Sequence, residues 1–206
     1  MAKVAITAFS PARQLGFHQL LVSARKTWLR DALSEALKQA APDTVKEQLS
    51  KYVPTDVQRT LAAAGIRDEH VFPVPVVLET KPTLIAYYRL LLGVPQKSFY
   101  RGGTGMGQFK GMETRGVLKA GRRPDLEGFC EAMGQSLAEL VRQMTPELTT
   151  QDVNELPLLT LGSQFQGGNN NTIGKQATVD VFLAVTELVK DQAAAAAGGC
   201  AGAGTP

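Results

Sequence analysis

The sequence predicts a mostly α fold with one or two short extended or edge strands, and three features carry that expectation. Apolar residues recur at helical spacing through Ala64, capping residues stand where those runs begin and end, and the connections between them are only two to four residues long. Short connections favour antiparallel helix neighbours.

Ser10-Pro11 supplies an N-cap followed by proline at the first helical position. Phe17, Leu20, Leu21, Ala24, Trp28, Ala32, Leu33, Ala36 and Leu37 then recur at helical steps. One long amphipathic helix is expected, ending near Ala41-Pro42, with Trp28 in its buried stripe. Asp43 or Thr44 can cap a second helix through Tyr52, and Thr55 a third through Ala64, with Gly65 as its C′ residue. The stretch from Val71 to Leu78 is β-branched but contains Pro73 and Pro75, which lack amide donors, so it reads as an edge strand or extended strap. Pro82-Thr83 opens a helix over Leu84 to Leu92 that Gly93 closes. A glycine-rich loop, Gly102 to Gly107, precedes another amphipathic helix over Asp125 to Met144. Leu156 to Leu161 reads as a short strand and Ile173 to Val189 as a final helix. Residues 1–192 therefore read as one helical domain. Residues 193–206, eleven of them Ala or Gly and none charged, read as a disordered tail, an artefact of reading frame or truncation.

At 206 residues the chain can build one domain with a sizeable core, or one with a small appendage. With 44% hydrophobic and 20% charged residues it has the composition of a soluble globular protein, not a disordered, collagenous or membrane one. No apolar run reaches signal-peptide or membrane-spanning length, and no membrane partner is expected. Cys130 and Cys200 cannot build a disulfide framework or a Cys-based zinc site, and fit a reducing compartment, read as the cytoplasm. His18 and His70 are too few for HExxH zinc sites and for most His-based triads. Carboxylate chemistry remains, or no chemistry at all.

The net charge of +3 hides a segregation. From Lys81 to Arg123 there are nine Lys or Arg and a single acid, Glu113, a local balance of +8. The cations Arg89, Lys97, Arg101, Lys110, Arg115, Lys119, Arg122 and Arg123 are interleaved with Tyr87, Tyr88, Phe99, Tyr100 and Phe109. Such a stretch can neutralise phosphates and release counterions, with tyrosine hydroxyls and glycine-exposed amides adding hydrogen bonds. The loop Arg101 to Gly107 lacks the GxxxxGK[ST] order of a nucleotide-triphosphate cradle and fits a segment following a nucleic-acid backbone. Gln164, Gln166, Asn169, Asn170 and Asn171 place five amides in eight residues, with Lys175 beyond. Capping a helix needs only one, and Asn or Gln can pair bidentately with adenine edges. Asp68 followed by Glu79-Thr80-Lys81 has the order of a metal-dependent nuclease centre, in which two carboxylates hold Mg²⁺ and a lysine orients the attacking water. The prolines in that stretch favour instead an exposed Glu79–Lys81 pair, with a self-contained small nuclease on these three residues as the rival reading.

The strings YYRLLLGVPQKSFY (87–100) and LLTLGSQFQGGNNNTIGKQATVDVF (158–182) resemble XcyI-type type II restriction endonucleases, over roughly residues 15 to 190. The resemblance implies the helical N-terminal domain of a deoxyribonuclease of a restriction–modification system that cleaves a short GC-rich palindrome in double-stranded DNA. It also implies Mg²⁺ as cofactor and a homodimer, since a two-fold site is matched by a two-fold protein. The family's acid-bearing strands are expected beyond this chain, so no catalytic residue is carried over and the fragment alone is expected to be inactive. Combining residues and resemblance, the expected DNA contacts are Arg89, Gln96, Lys97, Tyr100, Arg101, Lys110, Arg115, Gln164, Gln166, Asn170 and Lys175. The alternative is a non-catalytic nucleic-acid-binding module.

Overall fold

Helix α1 (Ala12–Thr27) and helix α2 (Arg30–Gln39) occupy the span expected to form one long helix. The Trp28 and Leu29 amides both donate to the Ala24 carbonyl at 2.9 Å, and Leu29 turns extended, so α2 packs back on α1. The Thr27 carbonyl released by this break accepts a 2.7 Å bond from the Thr83 hydroxyl, 56 positions away. Tertiary capping ends the helix where the local sequence has no breaker. The computed structural model describes residues 11–165 and 167. The chain divides into two compact units, Met1–Gly162 and Ser163–Pro206, and the architecture below is that of the first.

Helices α3 (Pro42–Tyr52) and α4 (Thr55–Ala63) follow closely on expectation. The expected caps are a correction: Pro42 takes the first helical position of α3 after Ala41 and Thr55 that of α4 after Pro54, so Asp43, Thr44 and Thr55 lie inside the helices and cap neither, while Gly65 at φ +69° closes α4 as expected. The supposed strand Val71 to Leu78 is a correction. Val71 to Val74 run irregularly and then helix α5 begins at Pro75 and ends at Thr80. Proline at the first helical position forfeits an amide that has no intrahelical partner, and the next free donor, the Val76 amide, bonds Gln48 Oε1 at 3.0 Å. The residue that argued for a strand edge is therefore a helix start.

A single turn at Pro82–Leu84 leads into α6 (Ile85–Leu91), every residue of which is buried. Short helices α7 (Gln96–Phe99) and α8 (Lys110–Arg115) flank the glycine-rich loop. Helix α9 (Asp125–Met144) has the predicted bounds and packs on α3, α4 and α5. Its Gly134 lies so close to α3 that an added Cβ would stand 3.4 Å from the Tyr52 carbonyl. The second expected strand, Leu156 to Leu161, is also a correction, because a helix starts at 150 and continues through these residues. Thr149 and Asp152 form a capping box: the Thr149 amide donates to Asp152 Oδ2 at 2.7 Å and the Asp152 amide to Thr149 Oγ1 at 3.2 Å. The fold is mostly α as predicted, and among the described residues there is no strand.

The core gathers Leu33, Leu61, Phe72, Tyr88, Leu126 and Leu137, all fully buried. Two tyrosines of the basic segment belong to it. Tyr87 donates to the His70 carbonyl at 2.7 Å and Tyr88 to the Glu69 carbonyl at 3.1 Å, pinning the turn Asp68–His70 against α6. The interior thus takes two phenols that the charge pattern offered to phosphate. The last expected helix, Ile173 to Val189, and the tail 193–206 lie outside the described residues.

Burial, followed by the nearby Arg30 charge, holds the His70 imidazole below its ordinary value. A lowered folded pKa means that the unfolded chain takes up the proton first. The associated stability is complete above about pH 6.5 and is lost as the pH falls through the imidazole range. The urea midpoint should therefore drop between pH 7.5 and 5.5 more in the wild type than in His70→Asn. Measuring both proteins at each pH cancels the opposite contribution of Asp68, whose carboxyl burial raises.

Candidate nucleic-acid interface

Glu113, the lone acid of the basic segment, sits on α8 with its side chain 8% exposed. Each carboxylate oxygen accepts two hydrogen bonds. Oε2 takes Arg89 Nε at 3.1 Å and the Tyr100 hydroxyl at 2.7 Å, while Oε1 takes Arg89 Nη2 at 2.9 Å and Gln96 Nε2 at 2.8 Å. Arg89 completes its fork by donating Nη1 to the Val94 carbonyl. Burial, reinforced by the adjacent carboxylate, pushes the Tyr100 phenol well above its ordinary value, so it remains protonated and donates. A buried charge is tolerated only when paired and hydrogen-bonded, and this pair is both.

Three of the residues expected to face a ligand, Arg89, Gln96 and Tyr100, therefore converge inward on Glu113. The Arg89 guanidinium, 3% exposed, presents no solvent-facing charge. Lys97, Arg101, Lys110 and Arg115 behave otherwise: all four are exposed and have no carboxylate partner among the described residues. The two groups alternate in sequence. Lys97 adjoins Gln96, Arg101 adjoins Tyr100, and Lys110 and Arg115 bracket Glu113.

The glycine-rich loop between α7 and α8 is fastened at both ends. Phe99 and Phe109 stand 6.4 and 4.8 Å, ring centre to ring centre, from Phe129 of α9. Gly103 (φ +94°) and Gly105 (φ +73°) take left-handed turns, and between them the Thr104 hydroxyl donates to the Arg101 carbonyl at 2.8 Å. Beside the loop lies a cleft of about 290 Å³ whose charged lining is wholly cationic: Lys110, Arg115, Lys119 and Arg122. A Cβ on Gly111 would stand 3.0 Å from Arg115 Nη2, so the glycine leaves room for this guanidinium. The sequence pointed to Lys119, Arg122 and Arg123 as part of the basic run without counting them among the expected contacts. Lys119 has no acid partner among the described residues, whereas Arg122 pairs with Asp125 at 3.1 Å and Arg123 with Glu79 at 2.8 Å.

That last pair corrects the reading of Glu79 and Lys81 as partners. Lys81 instead meets Glu35 at 2.9 Å, and Asp68 lines a different cleft, with Arg67 and Glu69. No group of three His, Cys, Asp or Glu placed to hold a metal ion occurs among the described residues. Gln164 belongs to the second unit. It is half-buried, and its amide nitrogen has no hydrogen-bond partner among the described residues. Gln166, Asn170 and Lys175 lie outside the described residues.

The chain that builds this helical unit belongs, by its sequence, to the restriction endonuclease class. Residues 18–198 match the XcyI restriction endonuclease family, and the chain is a member of it. Over 187 residues it is 40% identical to the type II restriction enzyme XcyI of Xanthomonas campestris pv. cyanopsidis, covering 89% of this chain and 56% of that protein. Over 182 residues it is 37% identical to the type II restriction enzyme Cfr9I of Citrobacter freundii, covering 87% and 55%. The chain spans about half the length of these curated relatives. No solved structure matches it. Among the described residues no helix is long and apolar enough to cross a membrane.

Removing one partner of a buried pair strands the other charge. Arg89→Met should lower the unfolding free energy by about 3–5 kcal/mol, mostly through the uncompensated Glu113 carboxylate. Lys97→Met, at an exposed position, should leave the urea midpoint near its wild-type value, and denaturation of the two variants side by side checks the contrast.

Proposed function

We propose that this chain serves site-specific cleavage of double-stranded DNA at a short GC-rich palindrome within a cytoplasmic restriction–modification system. In this reading its basic face holds the duplex backbone. The single observation that carries the reading is the sorting of charge: the lone acid of residues 81–123 is neutralised internally, while Lys97, Arg101, Lys110, Arg115 and Lys119 stay unpaired among the described residues. Unpaired cations beside a cleft attract phosphates, and each phosphate neutralised releases counterions. The names of the relatives support the same activity. A homodimer follows from the two-fold symmetry of a palindromic site.

Mg²⁺ is the cofactor proposed for the whole enzyme, where a divalent ion would polarise the scissile phosphate and activate water. The described residues do not fit such a site: Asp68, Glu79 and Lys81 are directed to separate clefts and partners. No hydrolytic role is assigned to any of them. Phosphate contacts position the duplex and base contacts specify the sequence, so the basic face is assigned positioning. Gln164, Gln166, Asn170 and Lys175 remain the proposed base-edge or phosphate contacts of the second unit.

The test is a titration of the chain against a labelled duplex carrying a GC-only palindrome such as CCCGGG, and against a scrambled duplex, at several salt concentrations. Binding should weaken steeply with salt. Lys110→Gln and Arg115→Gln should each weaken both duplexes alike and make the slope of log K against log salt shallower by about 1. Absence of salt-dependent binding to either duplex would remove the proposal. A preference for the palindrome would place base reading within this chain.

A further inference from the structure

We propose that Glu113 is a positioning residue for duplex binding: an acid within a polyanion-binding face whose neutralisation weakens, not strengthens, the hold on DNA. The inference rests on the assignment of the basic face to duplex DNA. It starts from the placement of four of the basic segment's five exposed cations that are unpaired among the described residues, Lys97, Arg101, Lys110 and Arg115, the fifth being Lys119 farther along the chain. Each of the four lies within three residues of a group bound to the Glu113 carboxylate, or of Glu113 itself. Gln96 carries Lys97 beside it, Tyr100 carries Arg101, and Glu113 stands between Lys110 and Arg115. The carboxylate thereby joins the chain before the glycine loop to the chain after it, across 13 positions from Tyr100 to Glu113.

Nothing else polar spans that interval among the described bonds. Thr104 ties the loop back to the end of α7 but not forward to α8: its hydroxyl donates to the Phe99 and Arg101 carbonyls and accepts from the Met106 amide. The aromatic contacts to Phe129 fasten the loop's roots to α9, but ring packing tolerates sliding that four short hydrogen bonds do not. Arg89 makes the clamp stronger still, since it ties the same carboxylate to the carbonyl of Val94 just ahead of α7. A preorganised set of cations binds with less ordering cost than the same cations on a free loop.

Charge counting and positioning give opposite signs for one substitution, which makes the idea decidable. Glu113→Gln raises the charge of the face by one and, if the acid acted only through its field, would tighten DNA. If it acts by holding the cation pairs in register, the neutral amide cannot accept four bonds, Arg89 loses its counter-charge, and affinity falls.

The experiment uses the full 206-residue chain, with wild type, Glu113→Gln and Tyr100→Phe titrated against a scrambled-sequence duplex without divalent ions over a range of salt. Glu113→Gln should bind roughly tenfold more weakly with a salt slope shallower by about 1 to 2, as one or two phosphate contacts are lost. The slope is the readout that a merely folded-or-unfolded difference would not move, and far-UV circular dichroism of each sample establishes that the compared proteins are folded. Tyr100→Phe deletes one of the four bonds without altering charge and should weaken binding in the same direction by a smaller factor. If Glu113→Gln does not fold, Tyr100→Phe decides alone. Wild-type binding accompanied by equal or tighter binding of Glu113→Gln, or of Tyr100→Phe in that second case, overturns the positioning role. Failure of the wild type to bind duplex instead overturns the functional assignment on which it rests.

Discussion

The buried carboxylate of Glu113 is the constraint around which the basic half of this molecule is arranged. In water it would repel phosphate. Inside the protein it must be paid for with donors, and the chain supplies a bidentate guanidinium, an amide and a phenol from two other elements. Those donors are then unavailable to a ligand. A segment with a large excess of cations is divided by this requirement into an inner set that satisfies one charge and an outer set left to the solvent. The partition is a matter of electrostatics in a dry environment, and it fixes which residues can do the outward work.

The second organising element is α9. It lies against α3, α4 and α5, buries Leu126, Met133, Leu137 and Val141, and meets Phe99 and Phe109 of the basic segment through Phe129. Gly134 faces α3 across a gap that a Cβ would just fill, at 3.4 Å from the Tyr52 carbonyl. Cys130, in the same helix, is enclosed, and burial pushes its thiol well above the ordinary range. It packs as a small apolar residue and offers no nucleophile.

What could be read from the sequence follows how local each cause is. Helices α3, α4 and α9 were legible because the signals that marked them, apolar spacing along each and Gly65 at the end of α4, act within one turn of the chain. The break at Trp28 and Leu29 was not, because the hydroxyl that satisfies the freed carbonyl comes from Thr83. Pro75 was ambiguous by itself: the Gln48 amide oxygen that completes the helix start lies 28 residues upstream. The helix from 150 carried a readable signal, Thr149-x-x-Asp152, which the short apolar run Leu156 to Leu161 outweighed. For the candidate interface, sequence located the basic segment but not the direction of its side chains. A clue for Arg89 did exist, since Ile85 to Leu91 is apolar on every face apart from it and such a helix is buried all round. A solitary acid among nine cations was the matching clue for its partner.

The attachment of the glycine loop to Phe129 has a mechanical side. A turn with two left-handed glycines ordinarily yields when pulled, absorbing force in its own soft dihedral angles. Here Phe99 and Phe109 bolt both shoulders of the turn to the same ring. Through Phe129 the loop is joined to a helix of 20 residues, which itself rests on three others. The turn is thus hinged at neither shoulder, and its place in the molecule is set by where α9 lies.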